Sequence, residues 1–121
     1  HHPYYGHPSE TPTSRPKVKG STAVLLGNIN DLARVIGRKR IWITEYGYQT
    51  KPDRAFAVTF QQQARYVAQS FAIARRHPRI DMMLWFLLRD DPRIAKGWQS
   101  GFFRYNNSRK PSYTAFLRVR K

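Results

Sequence analysis

The chain has 121 residues and carries 22 lysines and arginines against 7 aspartates and glutamates, a formal net charge of +15. One domain fits this length, whereas a complete (β/α)8 barrel needs about 250 residues. A hydrophobic content of 40% favours a packed core over wholesale disorder. The absence of cysteine excludes disulfides and thiolate zinc sites, and no apolar run approaches the ~20 residues of a membrane span.

The first half of the chain alternates loop, helix and strand. Residues 1–20 are rich in Pro, Ser, Thr and His without periodicity, which predicts a loop. Residues 21–26 are a candidate for a strand, and helical spacing of apolar residues predicts a helix over 28–37. β-Branched and aromatic residues over 39–44 predict a strand that is buried on both faces, as in a parallel sheet.

The second half repeats this alternation. Thr59 and Gln62 have the spacing of a capping box, and the helix they begin is expected to run to about Arg76. An apolar strand is predicted over 80–88, and a proline begins a final helix over 111–119. Helices that alternate with buried strands indicate an α/β fold with a parallel sheet.

Glu45 follows the strand over 39–44 directly, on the side of Ile41 and Ile43 if the strand alternates regularly. Burial of a carboxylate costs several kcal/mol unless it has partners, so this placement has two interpretations. Glu45 either forms a structural ion pair with an arginine or is a catalytic carboxylate at the end of a barrel strand. Trp85, in the second strand, is likewise either a core residue or a platform for a sugar ring.

Four segments, in order, resemble motifs of the clan A glycoside hydrolases. Ile41-Trp42-Ile43-Thr44-Glu45-Tyr46-Gly47 resembles the seventh-strand motif that holds the catalytic nucleophile, and His2-Pro3-Tyr4 resembles a His-x-Tyr at the end of the sixth strand. Trp85-Phe86 with Asp90 is similar to the eighth strand, and residues 97–102 with 110–113 to the segment before the last helix.

The resemblance implies a partial (β/α)8 TIM barrel, from the end of strand 6 through strand 8 and the final helix. Residues 1–121 would be the C-terminal part of a glycoside hydrolase catalytic domain, with residues 1–20 as an active-site loop region. The chain opens abruptly on His1-His2-Pro3, so we expect a longer protein that supplies the N-terminal half of the barrel. The resemblance also favours a secreted protein.

The implied activity is retaining hydrolysis of O-glycosidic bonds, in which two carboxyl groups about 5–5.5 Å apart flank the bond. Glu45 would be the nucleophile and Tyr4 would orient it through a hydrogen bond. The resemblance implies that the carbohydrate substrate is bound by His2, Trp85, Trp98 and Gln99. No cofactor, metal or membrane partner is expected.

The acid/base glutamate of the family, which follows an asparagine at the end of strand four, has no counterpart here. Glu10 lies in a Pro/Ser/Thr loop without a preceding strand, so it does not fit that role. We therefore expect the isolated chain to have little or no activity. An incomplete barrel further predicts that Met83, Trp85 and Leu87 face the open interior and are more exposed than Leu84 and Phe86.

Two other interpretations come from composition. A charge of +15 with seven tyrosines is compatible with a small nucleic-acid-binding protein, but the basic residues are spread along the chain without a recognisable binding motif. Specific nucleic-acid binding is therefore the alternative and not the main prediction. The three histidines His1, His2 and His7 match no standard metal-ligand spacing.

Overall fold

The computed structural model describes residues 1–94 and 96–119, and its strands pair in parallel with a helix between them. This arrangement confirms the α/β class. The elements in chain order are α1 (Ile29–Val35), β1 (Ile41–Tyr46), α2 (Phe60–Arg76), β2 (Ile80–Trp85) and α3 (Pro111–Val119), with a 3-10 turn (Leu26–Asn28) before α1. No helix in the described ranges has the length and apolar character needed to cross a bilayer.

The helix boundaries follow the sequence signals. The Thr59 hydroxyl accepts from the Gln62 amide at 3.1 Å and the Gln62 side chain accepts from the Thr59 amide at 2.8 Å, which confirms the capping box. Gly37, with a φ of 61°, takes the left-handed conformation just after α1.

The strand predicted over 21–26 does not form. The Asn28 side chain accepts from the Leu25 amide at 2.8 Å and donates to the Ala23 carbonyl at 3.4 Å. These bonds use backbone groups that a β-ladder would need, so the segment becomes the approach to the 3-10 turn.

β1 and β2 pair irregularly at two places: one step from Ile41 to Trp42 faces two steps from Ile80 to Met82, and near its carboxyl end β1 has one extra residue. Ile43 pairs with Met83 and Tyr46 pairs with Trp85, so three steps along β1 match two steps along β2. The irregularity breaks the side-chain alternation, and Ile43 and Tyr46 are both buried although they are three residues apart. Glu45 is only partly buried, whereas Ile41 and Ile43 are buried.

Only one face of the sheet is covered. Residues of β1, α1 and the first loop form a core, against which Met83 and Trp85 pack partly buried. On the opposite face Trp42 is 60% exposed and Leu84 is 48% exposed. The predicted burial of β1 on both faces is therefore wrong, as is the assignment of Met83 and Trp85 to the open face. Each strand is apolar on both faces, so the sequence pattern alone did not show which face is covered and which is open.

A buried ion pair joins the loop after β2 to the start of α3. The Lys110 ammonium lies 2.7 Å from the Asp90 carboxylate and also donates to the Thr50 hydroxyl at 2.9 Å and the Gln99 carbonyl at 3.0 Å. Burial raises the pKa of Asp90 and lowers the pKa of Lys110, and the attraction between the two charges opposes both shifts. Because Thr50 follows β1, this network holds the loops after both strands together.

Candidate active site

Glu45 lies near the carboxyl end of β1, where the first loop brings two side chains to it. The Tyr4 hydroxyl donates to Glu45 Oε2 at 3.2 Å, and His2 Nδ1 lies 3.6 Å from the same oxygen. The other ring nitrogen of His2 is 2.8 Å from the Thr44 hydroxyl. The structure thus brings together His2, Tyr4 and Glu45, three of the residues singled out in the sequence.

The electrostatics of this group favour a neutral phenol beside a carboxylate. Partial burial raises the pKa of Tyr4 well above its usual range, and the charge and hydrogen bond of Glu45 raise it further. At neutral pH Tyr4 therefore keeps its proton, so it can donate to the carboxylate and fix its orientation.

A second glutamate holds the loop that carries His2 and Tyr4. Glu10 is 1% exposed, and its carboxylate accepts from the backbone amides of Gly6 at 2.7 Å, His7 at 3.0 Å and Lys17 at 2.6 Å. Burial alone would raise the pKa of Glu10, but these bonds and the nearby His7 lower it below its usual value. The buried Glu10 carboxylate thus stabilises the conformation of this loop by binding three of its backbone amides.

Two aromatic rings form a wall beside Tyr4. The Trp98 ring lies 5.0 Å from the Tyr4 ring and 5.7 Å from the Phe86 ring, which it meets edge-on. Trp98 is 39% exposed, so part of its surface is open to a ligand. Sequence reasoning selected Trp98 but missed Phe86 and the contact of Thr44. Strand alternation places Phe86 on the opposite face of β2 from Trp85, but it does not indicate which of the two faces the core covers.

Trp85 and Gln99 lie outside this group. The Trp85 indole stacks on Phe102 at 5.6 Å and donates to the Ser100 carbonyl at 2.8 Å, on the core side of the sheet. Gln99 is fully buried, and its side-chain amide donates to the Asp91 carbonyl at 3.0 Å. Both side chains support the packing of the last loop, and in residues 1–94 and 96–119 neither forms a hydrogen bond with Glu45.

The site holds one carboxylate with a hydrogen-bond donor, an imidazole and an aromatic wall. In residues 1–94 and 96–119 no second carboxylate forms a hydrogen bond or ion pair with this group. No set of three His, Asp or Glu side chains in the same ranges is arranged to bind a metal ion. These groups are suited to nucleophilic attack by a carboxylate on a ligand held against aromatic rings.

A carboxylate at the carboxyl end of a parallel strand, beside a loop from another element, is the arrangement of an α/β-barrel active site. Residues 19–112 match the family model described as the glycosyl hydrolase catalytic core, and the chain belongs to this family. No curated protein matches the chain.

Solved glycosidase structures share the fold. A family 39 glycoside hydrolase from Bacteroides cellulosilyticus WH2 superimposes with a TM-score of 0.72 at 24% identity, over 98% of this chain and 25% of that chain. A β-D-glucuronidase from Dictyoglomus thermophilum gives 0.57 at 18% identity, over 78% of this chain and 18% of that chain. A β-glucuronidase from Lactobacillus rhamnosus gives 0.57 at 16% identity over the same shares.

The chain therefore spans a quarter or less of the length of these structures. The family match and the shared fold agree with the resemblance of the sequence motifs to clan A glycoside hydrolases.

Proposed function

We propose that this chain contributes the nucleophile half of a retaining glycosidase site in a longer (β/α)8 catalytic domain. In this assignment β1 and β2 are barrel strands seven and eight, and residues 1–4 follow the end of strand six. The observation that carries the proposal is the hydrogen bond from Tyr4 to Glu45 at the carboxyl end of β1, inside a chain of the glycosyl hydrolase family.

The reaction has two displacements. A Glu45 oxygen attacks the anomeric carbon while the bond from that carbon to the leaving oxygen breaks, and the leaving oxygen takes a proton from an acid. Water then attacks the same carbon, gives its proton to the conjugate base of that acid, and frees the Glu45 carboxylate. The anomeric configuration is retained because it is inverted twice.

Each neighbour of Glu45 has a role in this scheme. Tyr4 directs one carboxylate oxygen and stabilises its charge, and His2, fixed by Thr44, contacts the substrate hydroxyls from the same side. Trp98 and Phe86 offer aromatic faces to the sugar ring. Trp85 and Gln99 have an indirect role: they do not contact the substrate, and they position the loop that carries Trp98.

The acid of the first step lies outside this chain in the proposed scheme. Glu10 is occupied by three backbone amides and lies within its own loop, so it is not available to protonate a leaving group. The isolated chain is therefore expected to turn over glycosides slowly or not at all.

Covalent trapping tests the assignment of Glu45. The longer polypeptide that contains this chain would be incubated with a panel of 2-deoxy-2-fluoro glycosides that carry a dinitrophenyl leaving group, which departs without acid assistance. We expect mass spectrometry to place the sugar on the peptide that contains Glu45. Glu45→Gln should abolish the label and lower turnover of aryl glycosides by about a thousandfold or more.

A matched pair of tyrosine variants tests the role of Tyr4. Tyr4→Phe removes one hydrogen bond to the carboxylate and should lower the labelling rate about tenfold. Tyr105→Phe is the control, because Tyr105 is 53% exposed and forms no hydrogen bond with Glu45 in the described part of the chain. A label on another residue, or full turnover by Glu45→Gln, would show that the proposed nucleophile is wrong.

A further inference from the structure

The end of the molecule opposite Glu45 is strongly basic. The strands begin and the three helices finish at this end, and the fold gathers there cations that are scattered in the sequence. We call this surface the basic end; it comprises Arg34, Arg38, Lys39, Arg40, Arg75, Arg76, Arg79 and Arg118. Asp31 and Asp81 are its carboxylates.

Several contacts show that these segments adjoin one another. Arg40 donates to the Pro78 carbonyl at 2.8 Å, and Arg79 donates to the carbonyls of Ala33 at 2.9 Å and Lys39 at 3.1 Å. Arg75 donates to the Val119 carbonyl, which places the end of α3 beside the end of α2. Residues from three different helix ends and the start of both strands therefore share one surface.

Only some of the cations of the basic end are stabilised by a helix dipole or by an ion pair. Cations near helix carboxyl ends are stabilised by the helix dipole, and Arg34 and Arg40 are paired with Asp31 and Asp81. Arg38, Lys39 and Arg76 are exposed and make no ion pair or side-chain hydrogen bond with residues 1–94 and 96–119. Such a concentration of like charge repels itself unless an anion lies near it.

The basic end also has a concave shape. A cavity between the ends of α1 and α2 is lined by Arg34 and Gly37 on one side and by His77 and Arg79 on the other. Arg38 follows Gly37 and Arg76 precedes His77 in the chain, so free cations adjoin both sides of this groove. A linear polymer with regularly spaced anionic groups that lies along the groove would contact them. Arginine is suited to such a ligand because its planar guanidinium binds carboxylates in a bidentate manner.

We propose that the basic end binds an acidic polysaccharide of the polyuronate class. The exposed aromatic side chains lie elsewhere, with Trp42 on the open face of the sheet and Phe56, Trp98 and Tyr105 in loops at the opposite end. The described part of the basic end therefore lacks the stacking platforms that single-stranded nucleic-acid sites use, while it keeps the cations that carboxylates need. A glycan held here leaves Glu45 free, because Glu45 lies four residue steps along β1 from Ile41, a distance of about 13 Å.

The test measures binding and not catalysis, so it is independent of the role of Glu45. Fluorescein-labelled polygalacturonate would be titrated with the chain, and with any longer protein that contains it, at about 0.15 M salt, followed by fluorescence anisotropy. We expect the triple variant Arg38→Glu, Lys39→Glu and Arg76→Glu to bind at least about tenfold more weakly.

The matched control changes three exposed cations at the opposite end, Lys51→Glu, Arg54→Glu and Lys96→Glu. Both triple variants have a net charge of +9 in place of +15, so they differ only in where charge was removed. The control should bind within about threefold of the unchanged chain, and neutral dextran should not compete. Circular dichroism checks that each variant is folded, and the glutamine triple at residues 38, 39 and 76 gives a milder second test.

Two outcomes would overturn the proposal. Equal losses in the two triple variants would mean that net charge, and not the basic end, attracts the polymer. Tighter binding of a random-sequence DNA duplex than of polygalacturonate, with the larger loss in the variant at residues 38, 39 and 76, would assign this surface to nucleic acid.

Discussion

At the scale of single residues, the two glutamates of the chain are placed in opposite environments. Glu45 is partly exposed and receives one hydrogen bond from Tyr4, whereas Glu10 is buried and receives three from the backbone. Glu45 is thus available to a ligand, and Glu10 stabilises the loop that brings Tyr4 and His2 to Glu45.

Replacement of Glu10 tests this structural role. Glu10→Gln leaves one acceptor oxygen for three amides, so we expect a loss of about 2–3 kcal/mol in the free energy of unfolding at neutral pH. Glu45→Gln is the control with the same chemistry, and it should cost much less because its carboxylate is partly exposed. Urea denaturation followed by circular dichroism would measure both.

The pH dependence of this effect has a defined sign. The pKa of Glu10 is lower in the folded chain than its ordinary value of 4.5, so the carboxylate stabilises the fold fully above that value. The stabilisation is lost as the pH falls through the lowered pKa of the folded state. The difference between the original chain and Glu10→Gln should shrink on acidification, and a constant difference would contradict this explanation.

The sequence predicted the place of some residues in the site and not of others. His2, Tyr4 and Glu45 lie in short motifs whose order along the chain is informative, and the structure brings them together. Trp85 and Phe86 are adjacent, and the choice between them depends on which face of β2 the helices cover. That choice is made by tertiary packing, which a strand with two apolar faces does not encode locally.

At the scale of elements, the ends of β1 and β2 approach closely at Gly47. A Cβ atom at Gly47 would lie 2.4 Å from the Phe86 carbonyl oxygen and 3.2 Å from the Ser100 Cβ. Any larger residue would separate the two segments that carry Glu45 and Phe86.

Alanine substitution measures this constraint. Gly47→Ala should destabilise the chain by about 1–3 kcal/mol, because backbone must move to relieve the contact. Gly6→Ala is the control, since its nearest atom would be Val18 Cγ2 at 4.0 Å, and it should change stability by about 0.5 kcal/mol or less. Equal thermal unfolding of the two variants would show that the strand ends separate without cost.

The Lys110–Asp90 pair offers a second test at this scale. Lys110→Met leaves a buried carboxylate without its cation and should cost about 3–5 kcal/mol. Asp90→Asn combined with Lys110→Met should cost less than the two single changes together, by about 1 kcal/mol or more. Chemical denaturation of the original chain, the single variants Lys110→Met and Asp90→Asn, and the double variant would measure the four free energies of unfolding in this double-mutant cycle.

An exposed pair provides the comparison. Arg93 and Asp91 are 2.7 Å apart at the surface, and Arg93→Met should leave the unfolding transition nearly unchanged. Additive losses at Lys110 and Asp90 would mean that the two groups stabilise the loop independently.

The elements themselves were largely predictable, and the exceptions have local causes. The capping box of Thr59 and Gln62 and the proline at the start of α3 define two helices from a few residues. The false strand over 21–26 arose because the Asn28 side chain competes for backbone partners. The irregular pairing of β1 had no counterpart in residue type, so no pattern of apolar residues predicted it.

At the scale of the whole molecule, the sheet has one covered face and one open face. Ile43 is fully buried on the covered face, whereas Trp42 and Leu84 are exposed on the other. In the proposed longer domain the open face would point into the barrel. In the chain alone it is an apolar surface that favours self-association.

Substitutions on the two faces of the sheet should therefore have different effects on the free energy of unfolding. Trp42→Thr with Leu84→Thr should change the free energy of unfolding of the isolated chain by about 1 kcal/mol or less, and it should reduce both binding of a hydrophobic dye and self-association in ultracentrifugation. Ile43→Thr is the control and should cost about 2–4 kcal/mol. A loss on the open face as large as that of Ile43→Thr would mean that this face is already covered.

The extra β1 residue between Ile43 and Tyr46 makes the direction of the Glu45 side chain depend on the number of residues in this segment as well as on their types. Deletion of Thr44 would restore a regular pleat between Ile43 and Tyr46, and the carboxylate would turn relative to Tyr4. A substitution at the same position changes one side chain and leaves the others in place. This strand should therefore accept changes of residue more readily than changes of length. A library of single-residue deletions should lose the site over 44–46, whereas a substitution that keeps the hydroxyl, Thr44→Ser, should retain it.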